Sequence, residues 1–410
     1  MLLLYTMKSR KFARRMKYVT MSDVSELLKW MTPDMISFGG GIPDPITFPD
    51  EADFNEMLTF LKGVKDKAFQ YGKTEGLDEL RVSLSKFSQR HSIVTDPENI
   101  IITTGSQQVL DLTAKIFINK NDFVAVELPT YMVALQVFNM FKPKYIGIPL
   151  DFEGMRIDIL EEKLRKLYSD GVSLKLLYTM PTSQNPAGIS MSIERRKHLL
   201  ELASKYDFII LEDDPYGYIT FEGDEPIRLK SMDKEGRVIY TSTFSKILGP
   251  GLRIGWIIAE ENIIKQYVRI KQITDICTSP LTQYIAYYTL ENGIVDKKIP
   301  IIKRFYREKR DAMLNALEKY MSNSATWSKP IGGLFIFVWL NNNIDTRAIL
   351  PDVIKKYKVA YLPGDSFYVI DVRNTMRLNF SYPSINQIEE GIKRLSMAIM
   401  SYSAQEQVVN

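Results

Sequence analysis

Four short segments carry side chains able to do chemistry, and each follows an apolar run that reads as a strand. Thr104-Gly105-Ser106-Gln107-Gln108 opens the apolar helix pattern Val109 to Ile118. Free backbone N–H groups and the helix dipole favour a phosphate there, and a plain N-cap uses the same residues. Thr182-Ser183-Gln184-Asn185-Pro186-Ala187-Gly188 is a turn-forming run after Leu174 to Tyr178, of a kind common in loops. Glu212-Asp213-Asp214-Pro215-Tyr216 follows Phe208 to Leu211. A carboxylate at the end of a buried strand needs a partner, and a protonated ring nitrogen would serve. Thr243-Phe244-Ser245-Lys246 comes next, with Gly249-Pro250-Gly251-Leu252-Arg253-Ile254-Gly255 behind it. Alone, Lys246 reads as a solvated surface residue. In order with the other three, at strand ends where open α/β sheets bind ligands, it reads as catalytic. Arg377, inside the apolar run Met376 to Phe380, fits either a surface salt bridge or, better, a buried anion partner.

The elements that must position these residues are seven strands: 100–103, 123–126, 145–148, 174–178, 208–211, 238–241 and 254–258. They alternate with helical patterns, which predicts an α/β fold whose mostly parallel seven-stranded sheet lies between helices. After residue 290 a long charged helix, Ile301 to Tyr320, precedes Gly332-Gly333-Leu334-Phe335-Ile336-Phe337-Val338-Trp339-Leu340, a further helix and the strand holding Arg377. The expected organisation is an N-terminal arm (1–50) packing on the small domain or a partner subunit, a large domain (51–290) and a small α+β domain (291–410). Gly332-Gly333 is expected to allow close packing near the site entrance.

At 410 residues and 45% hydrophobic content the chain can bury a core large enough for two domains. Its net charge of +4 is the small difference of 53 basic and 49 acidic residues, with no basic block, so nucleic acid is not an implied partner. One cysteine, Cys277, excludes an internal disulfide and points to the reducing cytoplasm. Two histidines are too few for a Cys/His zinc site, and no metal is expected; His91 and His198 read as helix-face residues. The run from Met1 is too short for a signal peptide's apolar region of roughly 7–15 residues, and translation starting at Met7 is equally compatible. No stretch approaches the roughly 18 apolar residues of a membrane span. Tyr284-Ile285-Ala286-Tyr287-Tyr288 reads as core or subunit contact.

Asn185-Pro-x-Gly, Asp213-x-x-Tyr216, Ser245-Lys246 and Arg253, in this order, resemble the fold-type-I pyridoxal 5′-phosphate (PLP) aminotransferases of class I/II, from Gly39 to the end of the chain. The resemblance is strongest to the branch of 2-aminoadipate, kynurenine and aromatic amino acid aminotransferases. It rests there on Gly39-Gly40-Gly41-Ile42-Pro43-Asp44-Pro45, Gln70-Tyr71-Gly72-x-x-Glu75-Gly76, Glu212 to Tyr216 and Gly251 to Gly255. It implies that Lys246 carries the cofactor as a Schiff base and then serves as the base at the substrate Cα. Asp213 would keep the pyridinium protonated, Tyr216 and Asn185 would hydrogen-bond O3′, and Tyr131 would stack on the ring. The phosphate would fall to Ser106, Gln107, Thr243, Ser245 and Arg253, with Tyr71 reaching it from the partner of a homodimer. Arg377 would clamp the substrate carboxylate with Asn185 assisting, and Gly41 would let the backbone approach the substrate.

The implied reaction is ping-pong transamination, in amino acid biosynthesis, between an α-amino acid and a 2-oxo acid such as 2-oxoglutarate. In the 2-aminoadipate branch an early arginine often binds a distal carboxylate. Ser25 stands at that position here, with Arg14, Arg15 and Lys29 as possible substitutes, so aromatic or large apolar donors are expected before 2-aminoadipate. Two other readings share the scaffold. One is a PLP lyase or decarboxylase; the other is the effector module of a transcription regulator, whose winged helix has no counterpart before Gly39.

Overall fold

A computed structural model describes residues 12–20, 23, 27, 32 and 34–409. The chain forms β1 (Ile36–Ser37), β2 (Ile100–Thr103), α1 (Ser106–Phe117), β3 (Phe123–Leu128), β4 (Lys144–Asp151), β5 (Gly154–Met155), β6 (Leu174–Thr179), α2 (Ile193–Tyr206) and β7 (Ile209–Asp213). Then come β8 (Val238–Thr243), β9 (Gly255–Ile258), α3 (Ile294–Met321), β10 (Ala325–Trp327), β11 (Phe335–Leu340), β12 (Val359–Ala360), β13 (Leu362–Pro363), β14 (Thr375–Asn379) and α4 (Ile385–Val409).

The large sheet has the order β2-β9-β8-β7-β6-β3-β4-β5. Its seven expected strands are all present, and the middle of the sheet is parallel, with β9 reversed between β2 and β8. The eighth strand, β5, is a two-residue return paired with Leu150 and Asp151, too short to leave a pattern. Leu176, Leu177 and Tyr178 are fully buried on consecutive positions, as a strand covered on both faces requires. Parallel strands deliver their C-terminal ends to one edge, so Asp213, Lys246 and the 182–188 turn emerge side by side.

A second, antiparallel sheet, β10-β11-β14-β13, carries Arg377 on β14. The early glycine turn is tied beside it: β1 and β12 form a separate two-stranded sheet in which Ile36 pairs with Val359, Phe38 N–H donates to the Ala360 carbonyl, and Asn379 N–H of β14 donates to the Phe38 carbonyl. Phe38, fully buried, lies where a Cβ on Gly391 of α4 would be 2.5 Å from its ring. These contacts place Gly39 to Gly41 beside Arg377.

Three expectations are corrected or sharpened. The charged helix begins at Ile294, not Ile301, and runs through Pro300. Proline forfeits one backbone bond, yet Ile294, Val295, Ile299 and Ile302 are buried, and that continuous apolar face holds the early turns in the helix. His91 is not a plain helix-face residue. It caps a helix with its ring centroid 4.7 Å from those of Phe87 and Tyr218, and its Nδ1 lies 3.0 Å from Glu225. Gly332 and Gly333 meet Ser183, where added Cβ atoms would lie 2.5 and 3.0 Å from its side chain. His198 lies on α2, 3.5 Å from Glu161. Among the described residues no helix is long and apolar enough to cross a membrane, and no His/Cys/Asp/Glu group could hold a metal.

Candidate active site

The anion end of the site is built at the junction of β2 and α1. Gly105 turns the chain with φ 77° and caps α1, a conformation that favours glycine. A side chain there would also collide with Arg253, whose Nη2 lies 2.5 Å from the position of a Cβ. The guanidinium therefore stands against the first turn of the helix, adding a full charge to the N-terminal dipole. Arg253 itself holds an αL backbone at φ 52°. Thr243 and Ser245 arrive from the end of β8. The Thr243 hydroxyl donates to the Ile254 carbonyl (2.9 Å), accepts from Ser245 N–H (3.1 Å) and sits 2.8 Å from Ser245 Oγ. Thr243 thus shapes the loop, while the Gln107 side chain points to solvent.

Behind this cradle is a polar clamp that the sequence did not reveal. Asp275 accepts from Gln108 Nε2 (2.7 Å), Thr104 Oγ1 (3.1 Å) and the buried Lys271 Nζ (2.7 Å). Gln108 Oε1 in turn accepts from Thr104 N–H.

Asp213 ends β7, 2% exposed, and its Oδ2 accepts from the Tyr178 hydroxyl at 2.9 Å. Its Oδ1 is buried without a partner. Burial pushes the carboxyl up to about 7, Tyr178 opposing and Asp214 and Glu127 adding repulsion. The neighbouring carboxylates are committed elsewhere. Glu212 accepts from Leu229 and Lys230 N–H, and Asp214 pairs with the buried Arg228 and accepts from Gly217 N–H. Of three successive acids only Asp213 has a buried oxygen with no partner among the described residues.

Lys246 Nζ donates to the Gly41 carbonyl at 2.8 Å. Burial lowers its pKa to about 8, helped by Arg377 and Arg253. Arg377, 3% exposed, donates through Nη1 to Asn185 Oδ1 and through Nη2 to the Gly39 and Gly40 carbonyls, each at 3.0 Å. Its Nε has no partner, and among the described residues no carboxylate pairs with it. The guanidinium lies 4.1 Å from the Phe335 ring centroid and 5.4 Å from that of Phe367; burial lowers its pKa to about 10. A buried cation with a spare donor is an anion site. Tyr216 packs edge-on to Phe335 at 5.8 Å, and burial raises its pKa far above the phenol range. Tyr131 is held up at about 12 by burial and Asp213. Gly41 is close enough that a Cβ would lie 3.2 Å from Phe335.

One chain thus gathers Ser106, Tyr131, Asn185, Asp213, Tyr216, Thr243, Ser245, Lys246, Arg253, Arg377 and Gly41. Tyr71 stays apart, 78% exposed on the surface. Arg14 and Arg15 are exposed; Ser25, Lys29, Met1 and Met7 lie outside the described residues. The donor set fits PLP: an anion cradle, an amine of lowered pKa and, between them in sequence, an orphaned carboxylate oxygen suited to a protonated ring nitrogen.

A family model described as aminotransferase class I and II matches residues 46–395. Aromatic-amino-acid aminotransferase 1 of Thermococcus litoralis is 48% identical, over 92% of this chain and 91% of its own. The 2-aminoadipate transaminase of Thermus thermophilus is 32% identical, over 95% and 97%. The crystal structure of a Pyrococcus horikoshii kynurenine aminotransferase in complex with PMP superposes with a TM-score of 0.92 at 48% identity, covering 96% of this chain and 98% of that one.

Proposed function

Because the chain belongs to the aminotransferase class I and II family and is a PLP-dependent aminotransferase of amino acids, we propose that its donors are aromatic or large apolar amino acids and that 2-oxoglutarate accepts the amino group. The observation that carries this reading is the aromatic wall that Phe335 and Phe367 set against Arg377, with Tyr216 packed edge-on to Phe335. Similarity to the aromatic-amino-acid and kynurenine enzymes supports it.

PLP, when bound, supplies an aldehyde that exchanges with amines and a ring that draws electrons from the substrate Cα. The protein side chains would then divide the work as the resemblance implies. Lys246 holds the cofactor covalently and, once released, moves the proton at the substrate Cα. Asp213, kept in place by Tyr178, holds a proton on the ring nitrogen. Tyr216 and Asn185 orient the phenolic oxygen, and Tyr131 covers the ring face. Ser106, Gln107 through its backbone, Thr243, Ser245 and Arg253 hold the phosphate. Arg377 and Asn185 bind the substrate carboxylate, with Gly41 leaving it room. Tyr71, so exposed on a single chain, completes the phosphate site of a second copy in a homodimer, and the enzyme works in the cytoplasm in amino acid biosynthesis. The chain divides into an N-terminal arm to residue 50, which packs on the small domain or a partner subunit, a large domain from 51 to 290 and a small domain beyond it.

Steady-state kcat/KM across a donor panel tests the specificity. Phenylalanine, tyrosine and kynurenine are expected to exceed 2-aminoadipate by about tenfold or more, the worth of one well-filled apolar pocket. A clear preference for 2-aminoadipate would overturn the reading. The amine of Lys246 gives a second expectation: only the uncharged form attacks an aldehyde, so protein freed of cofactor should capture PLP faster as pH rises and level off above about 8. Stopped-flow absorbance measures this, and a rate independent of pH across that range would contradict it.

A further inference from the structure

We infer that Glu127 and Gln184 form a buried positioning brace that sets the Asn185–Arg377 carboxylate clamp and the Tyr131 loop in register, and so determines how tightly the amino donor is held. The inference rests on the reading of Asn185 and Arg377 as that clamp.

Glu127, near the end of β3, is 1% exposed and salt-bridged to nothing among the described residues. Burying a carboxylate is costly unless donors surround it, and here three donors hydrogen-bond to it. Thr179 Oγ1 donates at 2.5 Å, Gln184 Nε2 at 2.9 Å and Met180 N–H at 3.3 Å. Thr179 ends β6 and Met180 follows it, so the side chain ties two adjacent parallel strands at the edge where the site lies.

Gln184, 2% exposed, extends the tie to both loops. The same Nε2 that reaches Glu127 also donates to the Pro129 carbonyl at 2.7 Å, two residues before Tyr131. Its Oε1 accepts from Ala187 N–H at 2.8 Å, and its backbone N–H donates to the Ile189 carbonyl at 2.9 Å. These bonds close the turn that presents Asn185, whose Oδ1 receives Arg377 Nη1. The Tyr131 loop is anchored on its other side by Thr130 N–H donating to the carbonyl of Phe367, the ring of which stands 5.4 Å from the Arg377 guanidinium. One amide therefore connects the turn under the clamp to the loop over it. A shift of that amide would displace Asn185 and Tyr131 together, and neither Glu127 nor Gln184 would touch the substrate in doing so.

Gln184→Met keeps the length of the side chain and removes the amide N–H donors together with the oxygen that accepts from Ala187 N–H. It should raise the KM for the amino donor about tenfold or more while kcat changes less than about threefold, because binding that is lost equally from ground and transition states appears in KM. Glu127→Gln is the conservative counterpart. Its amide can donate to Thr179, whose hydroxyl can accept, and still offer oxygen to Gln184, so KM should stay within about threefold of wild type. In an Asn185→Ala background the effect of Gln184→Met on KM should shrink to less than about threefold, because the route through Asn185 is already cut. Melting temperature should fall by a similar amount in both backgrounds, which separates positioning from general destabilisation.

An unchanged KM in Gln184→Met, or the same factor in both backgrounds, would overturn the brace. If Asn185→Ala alone left KM unchanged, the clamp reading would fail first and take the brace with it. Should Gln184→Met not fold, Gln184→Asn, too short to span Glu127 and Pro129 together, carries the same comparison.

Discussion

Replacing Lys246 by alanine is expected to lower kcat by at least about 10⁴-fold, since one side chain supplies both the covalent hold on the cofactor and the proton transfer at Cα. Among the described residues the Lys246 amine makes a single hydrogen bond, to the Gly41 carbonyl, so its loss should leave the fold intact. PLP should still bind through the cradle of Arg253 and the α1 terminus, but without covalent attachment. Mass spectrometry after borohydride reduction measures this directly. A cofactor adduct retained on Lys246→Ala would show that another amine carries it.

Asp213→Asn should cost on the order of 10³-fold in kcat, with only a modest change in KM. An amide cannot match a charged ring nitrogen in a buried site, where a preorganised charge is worth several kcal/mol to a transition state. The cofactor-free protein should respond in the opposite sense. The folded pKa of Asp213, about 7, lies above the ordinary carboxylate value of 3.8. Between these values the folded chain keeps a proton that the unfolded chain has released, so stability from this group falls as pH rises through about 7. The variant lacks that loss. Thermal melts of cofactor-free wild type and Asp213→Asn should therefore diverge from pH 4 to 7 in favour of the variant, and run parallel above about 7. Glu127 and Glu212, also pushed up to about 7 by burial, are present in both proteins, so the difference reports Asp213 together with its repulsion of Glu127. An unaltered kcat would remove Asp213 from the site.

Both predictions concern residues legible in sequence, because a strand end followed by a polar turn is a local signal. What supports those residues was not legible. Tyr178 looked like one more apolar strand position until the register of β6 beside β7 brought its hydroxyl to Asp213, 35 residues away. Glu127 preceded the Pro129-Thr130-Tyr131 turn without a distinguishing pattern, and its donors lie 52 to 57 residues on. Asp275 serves the α1 terminus from 167 residues beyond Gln108. Such partners are set by which strands become neighbours, and no short spacing encodes that.

The cofactor and reaction class came from the resemblance of these motifs to the PLP aminotransferases; by itself the sequence determined the alternation of strands and helices and the order of the chemical groups at the strand ends. These rest on hydrophobic period and local turn chemistry, properties of a few consecutive residues. Only the tertiary structure decided which of three adjacent acids keeps an open oxygen, since each was assigned by a different distant partner: a helix terminus for Glu212, Tyr178 for Asp213, Arg228 for Asp214. It gave the contact that the resemblance only implied, Arg377 Nη1 on Asn185 Oδ1 192 residues away, and laid the guanidinium against the glycine turn at the far end of the chain. It also left Tyr71 on the outside of the single chain, because a buried site is closed by packing, and packing is a property of the whole fold.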